Sequence, residues 1–159
     1  MTFRSSTTPA DRAFGCLPYL LPIIESLPFG LYLMALFPPL SLIFVPLIPL
    51  IRIYTGVPFA GLIIFFLLFL AVVRNPKISH FIRFNTMQAI LIDIVLTLFS
   101  LLFNTILLPA LGSNLITQTL ANTVFIGILA ACGYCIFQSV FGRYAEIPAI
   151  SEAVYAQVP

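Results

Sequence analysis

Charge is scarce in this sequence. Seven basic and five acidic residues serve 159 positions, whereas a soluble domain of that length carries about a quarter charged residues. So few charges cannot cover a water-facing surface, which excludes a soluble globular protein and leaves the integral membrane class. The net charge of +2 is too small to hold nucleic acid, so no such partner is expected. Metal-binding residues are equally sparse. The single histidine, His80, stands beside basic residues and reads as an interfacial residue near lipid phosphate rather than as a ligand. Cys132 and Cys135 form a Cys-x-x-Cys, normally a redox or zinc cue, but lie inside "ILAACGYCIF" with no histidine or second cysteine pair at matching depth. They read as small helix-packing residues. No metal, cofactor or disulfide framework is expected.

Catalytic motifs are missing too. The sequence has no Gly-x-Ser-x-Gly, His-Glu-x-x-His, phosphate loop or dinucleotide fingerprint. With Asp93 as the only acid inside an expected span, paired acids at one depth are absent, and an enzyme is not expected. Leader signals are absent as well. Residues 1–12 (MTFRSSTTPADR) form a polar tail without the apolar core of a secretory signal. "AFGC" resembles a lipoprotein cleavage box, but no apolar segment precedes it. A long Ser- and Arg-rich transit segment is also missing, so a bacterial, organelle-encoded or processed chain is expected.

What fills the sequence is apolar residue, 61% of it. About twenty such residues cross a hydrocarbon core as a helix, and four windows qualify. Residues 29–51 carry no charge, but Pro38, Pro39, Pro46 and Pro49 should bend or partly unwind them. Residues 53–73 follow, with Thr55 as N-cap and Pro58 in the first turn. Residues 86–111 and 115–141 complete an all-α, four-helix transmembrane bundle, followed by a short polar C-terminal tail over 142–159. Residues 13–28 are apolar but short and proline-interrupted, and read as an interfacial or re-entrant segment. One continuous broken element over 13–37 is the alternative. Basic residues orient the four spans, because they favour cytoplasmic helix ends. With both termini inside, Arg4, Arg12, Arg74, Lys77, Arg83 and Arg143 share the inner side, and Arg52 stands alone opposite.

Polarity concentrates in "VVRNPKISHFIRFNTMQAILIDI", residues 72–94. Asn75-Pro76 stops the second helix, and Arg74, Lys77 and Arg83 make an inner-side basic loop at the level of anionic headgroups. Further in, Thr86, Asp93, Thr97, Ser100 and Asn104 fall within roughly 60° of one another at about 100° per residue. Asn85 and Gln88 lie off this stripe, near the inner interface. A lipid-exposed carboxylate is costly, so the stripe should face the bundle, a partner or a wet cavity. It either hydrogen-bonds neighbouring helices or lines a passage. Asp93 pairs with Arg83, pairs with a backbone amide, or is protonated. In the last span, Gln118 and Asn122 should face the third helix, and Gly127 and Ala131 form a small-x-x-x-small pair for close packing.

"RNPKISHFIRFNTMQAILIDI" resembles the central signature of the twenty-kilodalton subunit family of TIC, the translocon at the inner envelope membrane of chloroplasts, with its cyanobacterial and plastid-encoded relatives. The likeness extends through "CLPYLLPIIESLPFGLYL" and "VPFAGLIIFFLLFLAVVRNP", covering residues of about 11 to 110. The resemblance implies a four-helix membrane subunit of a preprotein-import complex, in the chloroplast inner envelope or a cyanobacterial membrane. Its implied partners are lipids, other translocon subunits or further copies, and preprotein chains. Arg83, Asn85, Gln88 and Asp93 match the family motif, which transfers no catalytic residue. Four close-packed helices fill their own centre, so a protein-conducting path would need several subunits with the stripe at the seam. A small-solute or ion permease using Asp93, and a non-conducting scaffold, are the alternative functions.

Overall fold

The computed structural model describes residues 6–159, and Arg4 lies outside them. The described residues are mostly helical, with no strand among them. Four helices are long and apolar enough to cross a membrane: α1 (Pro9–Leu36), α2 (Pro38–Gly56), α4 (His80–Leu111) and α5 (Leu115–Val140). A shorter apolar helix, α3 (Ala60–Val73), lies between α2 and α4. A sixth, α6 (Ile150–Gln157), closes the chain.

Local chemistry sets these boundaries. Thr8 caps α1 reciprocally: its hydroxyl accepts from the Asp11 amide at 3.1 Å and the Asp11 carboxylate accepts from the Thr8 amide at 3.0 Å. Pro18 and Pro28 open short 3₁₀ stretches, Leu17–Tyr19 and Leu27–Gly30, that keep α1 running. The first full break is Phe37, at φ −132° and ψ 80° before the Pro38-Pro39 pair, since a residue preceding proline is driven out of the helical region. The proline-rich start of α2, Pro38–Leu47, is wound as a 3₁₀ helix. Phe59 takes the left-handed conformation, φ 56°, in the turn to α3, a geometry costly for a bulky side chain. Ser79 caps α4 through the Ile82 amide, and Asn114 caps α5 through the Ile116 and Thr117 amides.

Contacts at the two ends give the topology. At one end Tyr32 meets Ser113, with hydroxyls 3.3 Å apart. At the other, the Ser79 hydroxyl donates to Asp11 at 3.0 Å, and His80 Nε2 lies 3.2 Å from the Val158 carbonyl. The chain therefore makes four passes, and both described ends of the chain lie at the Asp11–Ser79 end. α2 and α3 make the second pass together. The pass begins beside Tyr32 and finishes at Val73, whose carbonyl accepts from Arg83 Nε at 2.8 Å. Tyr54 bonds Glu25, only seven residues of α1, about 10 Å, below Tyr32. The 19 residues of α2, ten of them 3₁₀, reach about 33 Å, so α2 lies oblique and α3 completes the descent.

Several sequence boundaries move accordingly. Residues 13–28 belong to the first long helix instead of forming a separate interfacial piece, and the window 29–51 is divided at Phe37. The window 53–73 is divided at the Phe59 turn. Thr55 bonds back to the Ile51 and Arg52 carbonyls near the end of α2 rather than capping a new helix. The third helix begins six residues earlier than 86, at His80, because Ser79 supplies the cap. The expected polar tail after residue 141 includes α6, packed with Val154 and Val158 against Val73, Phe84, Met87 and Ile90.

The centre is α1 against α4 and α5. Towards the Tyr32 end, Phe29, Leu96, Phe103, Ala121 and Phe125 pack with Phe44 of α2. Gly30 permits this contact, since a Cβ there would stand 2.6 Å from the Phe125 ring. Gly127, expected at a close helix contact, is open instead, with nothing within 4 Å of a Cβ. It lies on the outer face of α5, away from α1 and α4.

Candidate functional site

The polar residues of α4 fall into three environments. Nearest the Asp11–Ser79 end is a closed network. Asn85 Oδ1 accepts from the Tyr19 hydroxyl and the Ser139 hydroxyl, each at 2.9 Å, and Asn85 Nδ2 donates to the Phe81 carbonyl at 2.9 Å. Gln88 Nε2 donates to the Ala145 carbonyl at 2.8 Å and meets Cys135 Sγ at 3.1 Å, while Gln88 Oε1 accepts from Ser151 at 2.9 Å. Tyr19, Asn85, Gln88 and Ser139 are fully buried. Both amides thus lie inside the protein, joining α1, α4, α5 and the C-terminal segment, rather than at the membrane interface. Buried amides require such partners, because an unmade bond costs more than a made one returns.

His80 belongs to the same end but faces protein. Its Nδ1 lies 3.0 Å from the Tyr144 hydroxyl, and Nε2 faces the Val158 carbonyl. Burial raises the pKa of Tyr144, and the Asp11 charge adds to the rise. Arg83 caps the C-terminal end of α3 through Val73, where a cation complements free carbonyls. Arg74 and Lys77 remain exposed in the connecting loop, where the Asn75 side chain accepts from the Lys77 amide at 3.0 Å.

The second environment lies about 20 Å from that end. Asp93 is 6% exposed and within hydrogen-bond reach of Glu25. Its Oδ1 has no partner among the described residues. Glu25 also takes the Tyr54 hydroxyl and, at 3.4 Å, the Thr97 hydroxyl. Asp93 is therefore not the only acid within a span, and its neighbour is Glu25 rather than Arg83. Reading 13–28 as interfacial had placed Glu25 outside the bundle.

The third environment is an open groove of about 340 Å³ between α1 and α4. Glu25, Thr97, Ser100, Asn104 and Thr105 supply its polar side chains. Asn104 Nδ2 donates to the Ser100 carbonyl at 2.8 Å. Thr97 and Asn104 are exposed, so this part of the stripe faces outward from the bundle. Thr86 is separate. It is fully buried, lines an apolar cavity between α1, α3 and α4, and its hydroxyl has no partner. No group of His, Cys, Asp and Glu arranged to hold a metal occurs among the described residues.

The family model described as "Chloroplast import apparatus Tic20-like" matches residues 8–154. The chain belongs to the Tic20-like family. It is 51% identical over 158 residues to a Tic20 family protein of Synechocystis sp., covering 99% of each chain. It is 34% identical over 157 residues to the Arabidopsis thaliana protein TIC 20-v, chloroplastic, covering 96% of this chain and 73% of the relative. A pea relative, protein TIC 20, chloroplastic, is 28% identical, with 93% and 58% covered. The resemblance carried by "RNPKISHFIRFNTMQAILIDI" is thereby shown. With its apolar helices, this Tic20-like chain is a multi-pass membrane protein of a plastid or cyanobacterial membrane. The family names point to a translocon subunit rather than an enzyme.

Sequence reasoning missed the partners of the Tic20-like motif. Tyr19 lies in the resembling block "CLPYLLPIIESLPFGLYL" and Ser139 and Ser151 in none, and their pairing with Asn85 and Gln88 is a tertiary fact. Glu25 had a signal: an acid inside an apolar run is costly unless satisfied, which asks for a second buried group at its depth.

Proposed function

We propose that this chain is a membrane subunit of a protein-translocation complex, and that the outward groove at Thr97, Ser100 and Asn104 is its contribution to a path completed by neighbouring subunits. The observation that carries this reading is the groove's position. Polar side chains at membrane depth are costly against lipid, yet these open laterally from the bundle instead of into its centre. The centre is filled by Phe29, Leu96, Phe103 and Phe125, which supports a path at a seam between subunits over one through a single copy. Both chain ends belong on the stromal or cytoplasmic side in this reading. Arg12, Arg74, Lys77, Arg83 and Arg143 gather near the Asp11–Ser79 end, and the exposed Arg52 lies in oblique α2, as the bias of basic residues towards that side requires.

The test is site-specific photocrosslinking at Thr97, Ser100 and Asn104 in the assembled complex, with the exposed Leu98 and Leu102, which do not line the groove, as controls. Capture of an arrested precursor or a neighbouring subunit from the three polar positions is expected. Labelling of lipid alone at all three would overturn the seam reading.

A further inference from the structure

The apolar cavity beside Thr86 has no part in the polar groove. Its volume is about 640 Å³, within the range of about 300–1,000 Å³ typical of small-ligand sites. One wall is α1 from Phe14 to Ile24, and the other is α3, including Ile63 and Leu68, with Leu50, Ile53 and Tyr54 of α2 beside it. The ten-residue rise from Phe14 to Ile24 is about 15 Å, the depth of one leaflet of a hydrocarbon core about 30 Å thick. At the inner end, Val72 and Ile78 line the cavity. The exposed cations Arg74 and Lys77 stand between them in the chain. Asp11, at the same end of the bundle, is already hydrogen-bonded to Thr8 and Ser79. Among the residues that line the cavity, Thr86 has an unpartnered hydroxyl, but its side chain has no exposed surface, so the wall offered to an occupant is apolar.

We propose that this cavity is a binding site for one anionic diacyl lipid. One acyl chain lies between α1 and α3, and the headgroup meets Arg74 and Lys77. Lipid chains solvate the rest of the surface equally well, so selectivity comes from the headgroup. Each cation near an anionic surface contributes about fivefold, equivalent to about 1 kcal/mol.

The test reconstitutes the full chain in nanodiscs of equal phosphatidylglycerol and phosphatidylcholine, then reads retained lipid by native mass spectrometry. One phosphatidylglycerol per chain is expected. Arg74→Gln with Lys77→Gln should lower its preference over phosphatidylcholine by about 25-fold. Leu17→Trp and, separately, Ile63→Trp should remove the adduct by filling the cavity. Leu17 and Ile63 are half-exposed wall positions, and unchanged melting of each variant verifies its fold. Equal retention of both lipids by the wild type, or an adduct surviving both tryptophans, would overturn the proposal. So would a dimer peak abolished by the tryptophans, because the occupant would then be a second copy. Crosslinking at the polar groove is indifferent to all of these outcomes.

Discussion

Replacing Gln88 by Leu would keep the side chain's bulk while removing its amide. Two strong bonds to the C-terminal segment disappear: donation to the Ala145 carbonyl at 2.8 Å and acceptance from Ser151 at 2.9 Å. Each is worth about 1 kcal/mol net, giving about 2 kcal/mol. The Ala145 carbonyl keeps the Ser151 hydroxyl, 3.5 Å away, and Ser151 retains the Ile147 amide at 2.7 Å, so neither group is orphaned. A change of about 2 kcal/mol corresponds to about thirtyfold in the opening equilibrium of the segment. Amide hydrogen exchange in nanodiscs measures this directly, because local opening reports local stability. Residues 150–158 should exchange about thirtyfold faster, while the Asn114 end of α5 keeps its protection. Ser151→Ala, which removes both the bond to Gln88 and the one from the Ile147 amide, should give a comparable acceleration. A change under threefold at the tail in Gln88→Leu would refute the reasoning. So would an equal acceleration in every helix, since the loss would then be global.

Two other perturbations probe the packing. Gly30→Ala puts a Cβ 2.6 Å from the Phe125 ring and should destabilise the bundle by about 1–3 kcal/mol through overpacking, measured by denaturant unfolding in detergent. Gly127→Ala, facing open space, should be neutral in the same assay. Tyr54→Phe removes the hydroxyl that joins oblique α2 to Glu25. The turn around Phe59 should then open about fivefold more, read as faster exchange over residues 57–63, with α5 unchanged.

The extent to which all this was readable differs by residue. Four passes follow from composition alone, because a backbone in lipid must satisfy itself and helices do so at fixed length. Boundaries were harder because prolines are ambiguous. Pro18 and Pro28 are absorbed by short 3₁₀ stretches, while Pro38 and Pro39, acting in tandem after Phe37, end a helix. The angular reading of α4 put polar residues on one face, but a face is not an environment. Thr86 meets an apolar cavity, Asp93 meets Glu25 and Thr97 opens outward, because different neighbours flank α4 along its length. The tail looked like a plain polar ending, since Tyr144 and Ser151 find His80 and Gln88 at separations of 64 and 63 residues, beyond any local pattern.

That separation bears on biogenesis. Gln88 and Asn85 enter the bilayer with α4, but Ser139, Ala145 and Ser151 are synthesised more than fifty residues later. Until then Asn85 has Tyr19 and the Phe81 carbonyl, but the donor and acceptor of Gln88 must be hydrated, shielded by an insertase, or paired with substitutes. A nascent chain stalled before residue 139 therefore displays two hydrogen-bonding groups that the finished protein hides. Quality control in the membrane can distinguish the incomplete chain from the complete one by that difference alone.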